Sequence, residues 1–168
     1  VPQGDNRPRS ICENCNTIHY VNPRIVTGCL PIFEDKVLLC RRAIEPRAGL
    51  WTLPAGFMEN GESAEQGAVR ETLEEACAEV EIRHLYTLFS LPHISQVYMF
   101  FLAHLPAPDF RAGEESLEVA LFAETEIPWE QLAFPVVTDT LRHYYRDRKT
   151  SEFPTRSHTI ELERRLKR

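Results

Sequence analysis

The stretch Gly56–Ala78, GFMENGESAEQGAVRETLEEACA, constrains this chain more than any other. Ser63 followed three residues later by Gln66 is a capping-box pattern, which predicts a helix beginning at Ala64. Good helix formers carry it to about Ala76, with one weak point at Gly67. Glu71, Glu74 and Glu75 are spaced i, i+3 and i+4 and share one face. Val69, Leu73 and Ala76 fall opposite and are the expected inward face. Like charges at this spacing repel by roughly 0.2–0.5 kcal/mol per pair. A lone helix gains nothing from that, whereas a hard divalent cation such as Mg²⁺ or Mn²⁺ turns the repulsion into binding. A solvated acidic face is the competing reading.

Gly56 and Gly61 precede the helix in a loop, Glu62 ends that loop, and Arg70 adjoins Glu71. Together they spell G-x5-E-x7-R-E-x2-E-E, which resembles the signature box of the Nudix hydrolases. Thr72 stands where that family usually carries an aliphatic residue. Cys77 stands where it usually carries glycine, a change expected to alter how the helix ends.

A chain of 168 residues, 43% of them hydrophobic, fits one domain with small additions. No apolar run reaches the roughly 20 residues of a membrane span. The net charge of −6 argues against nucleic acid as the main partner. The five cysteines, Cys12, Cys15, Cys29, Cys40 and Cys77, are odd in number. Three lie in apolar segments, which suggests a reducing, cytoplasmic setting.

Cys12 and Cys15 form a C-x2-C knuckle, half of a zinc site, for which a redox pair is an alternative. The flanking Gly4-Asp5-x-Arg7 and Ile18-His19-Tyr20-x-Asn22-Pro23 resemble the zinc ribbon that precedes some Nudix domains. That resemblance places the other two zinc ligands before Val1. His19 is expected to be buried and hydrogen-bonded rather than a ligand.

Arg24–Phe33 reads as a strand with Pro31 at an edge or bulge. Glu34-Asp35 reads as a turn, and 36–43 as the returning strand, closed by Arg41 and Arg42. Either arginine could meet a substrate phosphate or base, or be a solvated strand end. Trp51 is expected in the core. Segments 80–89 and 96–105 read as strands around a loop holding Pro92 and His93. The Pro- and acid-rich loop 106–115 leads to Glu115 and Glu118. Residues 134–149 predict a second helix with Val136, Val137, Leu141, Tyr144 and Tyr145 facing inward and Pro135 in its first turn. The tail 151–168 is expected to be loose, or helical only at its end.

These elements imply an α/β chain with a mixed sheet between helices. The resemblance implies more: a Nudix α/β/α sandwich over 24–150, after a partial zinc-ribbon segment at 1–23. Shared text (GDNRPRSIC, GLWTLPAGFMENGES, ESLEVALFAETEIPWEQLAF) is similar to the plant chloroplast FAD and ADP-ribose pyrophosphatases. The NADH pyrophosphatases are more distant, and their SQPWPFP-type motif is missing. By resemblance, one to three Mg²⁺ or Mn²⁺ ions bind Glu71, Glu74, Glu75 and the Ala55 carbonyl. Glu115, or after it Glu118, completes the set or acts as base. Arg70 pairs with Glu62 or Glu71 and holds the carboxylates in place. The implied reaction is hydrolysis of a nucleoside-diphosphate derivative to a nucleoside monophosphate, with a structural zinc and a homodimer as further expectations. A nucleoside triphosphate pyrophosphatase, a non-catalytic nucleotide sensor and a zinc-knuckle nucleic-acid binder are the alternatives.

Overall fold

The structure is a computed structural model and describes residues 1–161. A small antiparallel pair, β1 (Ser10–Ile11) and β2 (Ile18–His19), comes first. Then follow β3 (Arg24–Phe33), β4 (Lys36–Arg42), β5 (Trp51–Thr52), β6 (Ala55–Phe57) and α1 (Ala64–Ala76). The remainder is β7 (Glu81–Leu91), β8 (Gln96–His104), β9 (Ser116–Phe122), α2 (Pro135–Asp147) and β10 (Arg156–Thr159). All strands after β2 form one mixed sheet, ordered β10-β7-β8-β3-β4-β5, with β6 on β3 and β9 on β4. β3 runs parallel to β8, and β10 parallel to β7.

The apolar runs of these strands are continuous because both faces of the sheet are covered. Strand alternation sorts them. Leu30, Val37, Leu39, Phe100 and Leu102 join the core that includes Val136, Leu141 and Tyr144 of α2. Their neighbours Cys29, Leu38, Cys40, Phe101 and Ala103 point to the other face, among Ala68 and Ala76 of α1. The sheet is thus the middle layer between the two helices.

Pro31 does not mark an edge, because β3 lies inside the sheet. On one side β3 pairs with β8 along its length; on the other it pairs with β6 at residues 26–28 and with β4 at 32–33. The Cys29 amide on that second side reaches Pro54 O. By alternation Pro31 faces the same side, where one partner strand gives way to the next and no ladder amide is required.

Helix α1 has the expected bounds, but its inward face is different. Gly67, Ala68, Thr72, Glu75 and Ala76 are buried, while Val69 is half-buried and Leu73 is 50% exposed. Small residues let the helix lie close to β3, where Thr27 Oγ1 donates to Ala64 O at 2.7 Å. Thr72 satisfies its buried hydroxyl on Ala68 O at 2.8 Å. Cys77 does not change the ending that glycine would give: it adopts the left-handed conformation itself (φ 46°), with its amide on Leu73 O.

The tail is not loose throughout. Residues 156–159 form β10 on the sheet edge. Arg156 Nη2 donates to Asp147 Oδ1 at 2.8 Å and Nη1 donates to Oδ2, which also accepts from Tyr86 at 2.6 Å. This clasp joins β7, the end of α2 and β10. The expectation of a helical end falls on residues 162–168, outside the described residues. His19 is exposed on β2 rather than buried, since the two-residue pair has no core to enter.

Candidate active site

Helix α1 is anchored as its sequence implies. Gln66 N donates to Ser63 Oγ at 3.2 Å and Ser63 N to Gln66 Oε1 at 2.8 Å. One turn further in, Arg70 binds four partners. Nε and Nη2 meet the two Glu62 oxygens at 3.0 and 2.8 Å, and Nη2 also donates to Phe57 O at 3.1 Å. Nη1 reaches Glu71 Oε1 at 2.7 Å and Glu74 Oε2 at 3.1 Å. The guanidinium therefore ties the loop before α1 to two carboxylates on the helix. The Arg70 hydrogen bonds, helped by the Glu59 amide, hold Glu62 down at about 2.

Glu75 points the other way, into the fold, and is 6% exposed. Its Oε2 accepts from the Ala55 amide at 3.2 Å. Burial, then repulsion from Glu71 and Glu115, pushes its carboxyl up to about 8, against the pull of the Ala55 amide and Arg42. Burial likewise raises Glu71, with Arg70 opposing. Gly56 lies in β6 rather than in the loop, and a Cβ there would overlap the Glu71 carboxylate and displace it.

Loop 106–115 closes the far end of α1. Arg111 N donates to Ala76 O and Gly113 N to Glu75 O, covering carbonyls of the last turn. A side chain at Gly113 would overlap the Glu74 carbonyl. The loop thereby brings Glu114 and Glu115 to the rim of a cavity of about 960 Å³, with Glu71, Glu74, Glu75 and Ala55 in its wall.

Arg42, but not Arg41, lines that cavity. Arg42 Nε donates to Pro46 O at 2.9 Å, and its guanidinium lies 5.3 Å from the Phe134 ring centre. Arg41 turns away, donating to Gly49 O at 2.9 Å and lying 3.7 Å from Glu118. Glu118 is therefore on the far side of β9 from the acidic cluster. His93 is exposed and also outside the cavity wall. Trp51 is in the core, edge-on to Phe122 at 4.8 Å.

Sequence reading missed much of the remaining wall, including Arg24, Phe57, Tyr98, Phe134 and Glu114. Arg24 lies over Phe57 at 4.8 Å, and the parallel register sets Val26 beside Tyr98. No motif joins these residues. Strand register and the entry of α2 bring them together.

Among the described residues, no three carboxylate, histidine or cysteine side chains converge as they stand on one metal position. Oxygens of Glu71, Glu74 and Glu75 are occupied by Arg70 and the Ala55 amide. The donor chemistry nevertheless fits a hard cation: crowded carboxylates, two of them with raised pKa, in a partly buried wall. Cys12 and Cys15 lie on the β1–β2 turn, where Asn16 N donates to Cys12 O and Cys12 N to Thr17 O. Hydrogen bonding from the Thr17 side chain, at 3.0 Å, then from backbone and Cys12, lowers the Cys15 thiol. That favours the thiolate that zinc needs.

The chain matches the family model described as NUDIX domain over residues 22–147, and the Nudix N-terminal zinc-ribbon family over residues 1–21. It is similar to the crystal structure of a NUDIX hydrolase from Nitrosomonas europaea: TM-score 0.93 and 57% identity over 96% of this chain and 92% of that one. An ADP-ribose pyrophosphatase of Methanocaldococcus jannaschii is 27% identical over 132 residues, 73% of this chain and 76% of that protein. The NAD-capped RNA hydrolase NudC of Photobacterium profundum is 29% identical over 127 residues, 74% of this chain. The matched region spans about half of that relative, 47% of its length.

Proposed function

This chain belongs to the NUDIX family of hydrolases, and from that premise we propose that it is a divalent-metal-dependent pyrophosphatase. Its substrates are nucleoside-diphosphate derivatives of the ADP-ribose or FAD type, and it releases a nucleoside monophosphate. The observation that carries this reading is the junction of two unlike surfaces in one cavity. Glu71, Glu74 and Glu75 supply crowded carboxylates, while Arg42, Arg24, Tyr98 and Phe134 supply cations and flat rings. At about 960 Å³ the cavity is at the upper end of the roughly 300–1,000 Å³ of ligand sites, which suits a two-part substrate.

Mg²⁺ or Mn²⁺ would be held by Glu71, Glu74, Glu75 and the Ala55 carbonyl, with Glu115 at the rim. When bound, the metal supplies positive charge to the pyrophosphate and to the attacking oxygen. The protein's own groups do the rest. Arg70 fixes the Glu71 and Glu74 carboxylates so that they meet the substrate already oriented. Arg42 faces the phosphate oxygens from the wall across from α1. Glu115 accepts the proton of the attacking water as the new P–O bond forms and the anhydride P–O bond breaks. Glu118 and Arg41 stand outside this arrangement. A structural zinc would be held by Cys12 and Cys15 together with further ligands supplied from elsewhere. The relatives named for ADP-ribose and NAD-capped RNA support the pyrophosphatase class. No helix among the described residues is long and apolar enough to cross a membrane.

The test is release of nucleoside monophosphate from FAD, ADP-ribose, NADH and a deoxynucleoside triphosphate, with Mg²⁺ or Mn²⁺ and again with chelator. AMP from FAD or ADP-ribose, lost on chelation, is the expected result. Metal binding with no release from any of the four would overturn the enzyme reading in favour of nucleotide sensing.

A further inference from the structure

Away from the catalytic cavity, α2 and β10 enclose a second cleft of about 400 Å³. Asp139, Arg142, His143 and Arg146 line it from α2, and His158 and Thr159 from β10. Arg142 and Arg146 are one turn apart and share a helix face. The two imidazoles stack with centres 5.0 Å apart and planes within 8°. Phe89 also stacks on His158, at 5.8 Å. Arg146 Nη2 lies 2.8 Å from His143 Nδ1. A guanidinium can only donate, so Nδ1 accepts and the neutral ring carries its proton on Nε2. One guanidinium and both imidazoles are thus fixed in place before any ligand arrives.

Negative charge here comes from Asp139 and Asp147, both at long range. Asp139 is 4.0 Å from Arg142, a loose pair. Asp147 bonds to Tyr86 and Arg156 and lies 3.6 Å from Arg146 Nε, so Arg146 is partly compensated and Arg142 carries the freer charge. We propose that this cleft binds a phosphate-type oxyanion, with Arg142 and Arg146 supplying charge and the His143 Nε2–H a directed donor. Free inorganic phosphate and the phosphate group of a nucleoside monophosphate share this chemistry. The surroundings of His143 agree. Its pKa is lowered first by burial and then by Arg156, Arg146 and His158, with Asp139 alone acting in the opposite sense. After burial, the neighbouring cations are the next causes, and a bound anion would oppose them. The same helix begins at the catalytic cavity, where Pro135, Val136 and Val137 form part of the wall. Its residue 142 lies roughly 8 Å further along the axis than residue 137.

The experiment follows the ring protons of His143 and His158 by NMR in the full chain. Phosphate and AMP are titrated separately at constant ionic strength. The midpoint of the His143 titration should rise saturably by about one pH unit. A rise with both anions identifies the phosphate group alone as the ligand; a rise with AMP only adds the nucleoside. In the Arg142→Ala/Arg146→Ala variant the rise should disappear while pyrophosphate hydrolysis stays unchanged. Both arginines are exposed, so the variant should keep its fold. No saturable rise with either anion, or an equal rise in the variant, overturns the proposal.

Discussion

Helices α1 and α2 are both 13 residues long and cover opposite faces of one sheet, yet they are held there by opposite means. Helix α2 buries Val136, Val137, Leu141, Tyr144 and Tyr145, side chains worth roughly 1.5–3 kcal/mol each for the aliphatic members. Helix α1 buries small residues and one carboxylate, and leaves Leu73 half in water. Its attachment comes from close approach at Gly67 and Ala68, the Ser63 cap and the Arg70–Glu62 pair. A helix that spends its inward face on a carboxylate gives up apolar burial for the placement of charge. Stability and chemistry should therefore divide between the two helices.

Four changes test that division, beginning with the largest effect. Glu75→Gln should lower kcat by at least about 10²–10³-fold, as for loss of one strong electrostatic group in a site. Its melting temperature should stay level or rise, because a buried carboxylate is removed. Full retained activity, or loss of the fold, would reverse the roles given to the helices. Leu141→Ala is the mirror image: about 2–5 kcal/mol of stability lost in denaturant melts, with turnover of the folded fraction intact. Gly56→Ala should sit between them. The added methyl displaces the Glu71 carboxylate, and kcat should fall by up to about 10²-fold with only a small shift in melting.

The gentlest probe is pH. In the metal-free protein Glu75 keeps its proton up to about 8, above its ordinary 4.5. Between those values the folded chain holds a proton that the unfolded chain has released, so this group's contribution to stability falls as pH rises. Above about 8 the fall ends. Melting curves of wild type minus Glu75→Gln, without metal, should show that decline. Added Mg²⁺ should flatten it, because metal and proton compete for the same oxygens. A difference independent of pH would mean that Glu75 is not held neutral by its burial.

The same contrast explains what was legible beforehand. The bounds of α1 were readable because capping and propensity are local, and the inward face of α2 because five apolar residues keep helical spacing. The inward face of α1 was not: Leu73 is the more apolar residue, but Thr72 is the one that fits beneath the helix at that separation. Strand β10, Arg-Ser-His-Thr, carries no apolar alternation. Its place is set by Asp147 and by Phe89 stacking on His158, partners far away in sequence. Glu71, Glu74 and Glu75 on the acidic side of the cavity were written in one stretch of 23 residues, whereas Glu114 and Glu115 come from a distant loop. The opposite wall draws on β3, β6, β8 and the start of α2, and register across a sheet leaves no mark on any one of them.

The clasp of Tyr86, Asp147 and Arg156 also bears on how the chain is made. Domains synthesised from the N-terminus fold as their elements emerge. The acidic box and all the strands that carry it are complete well before Arg156 is added. Until then Asp147 lacks its short Arg156 partner and keeps Arg146 at 3.6 Å, and the outer edge of β7 has no partner strand. An open strand edge is a template for another chain. Nascent molecules on one messenger would thus be exposed to pairing with each other through β7 until β10 arrives, and a stop codon before Arg156 would make that hazard permanent.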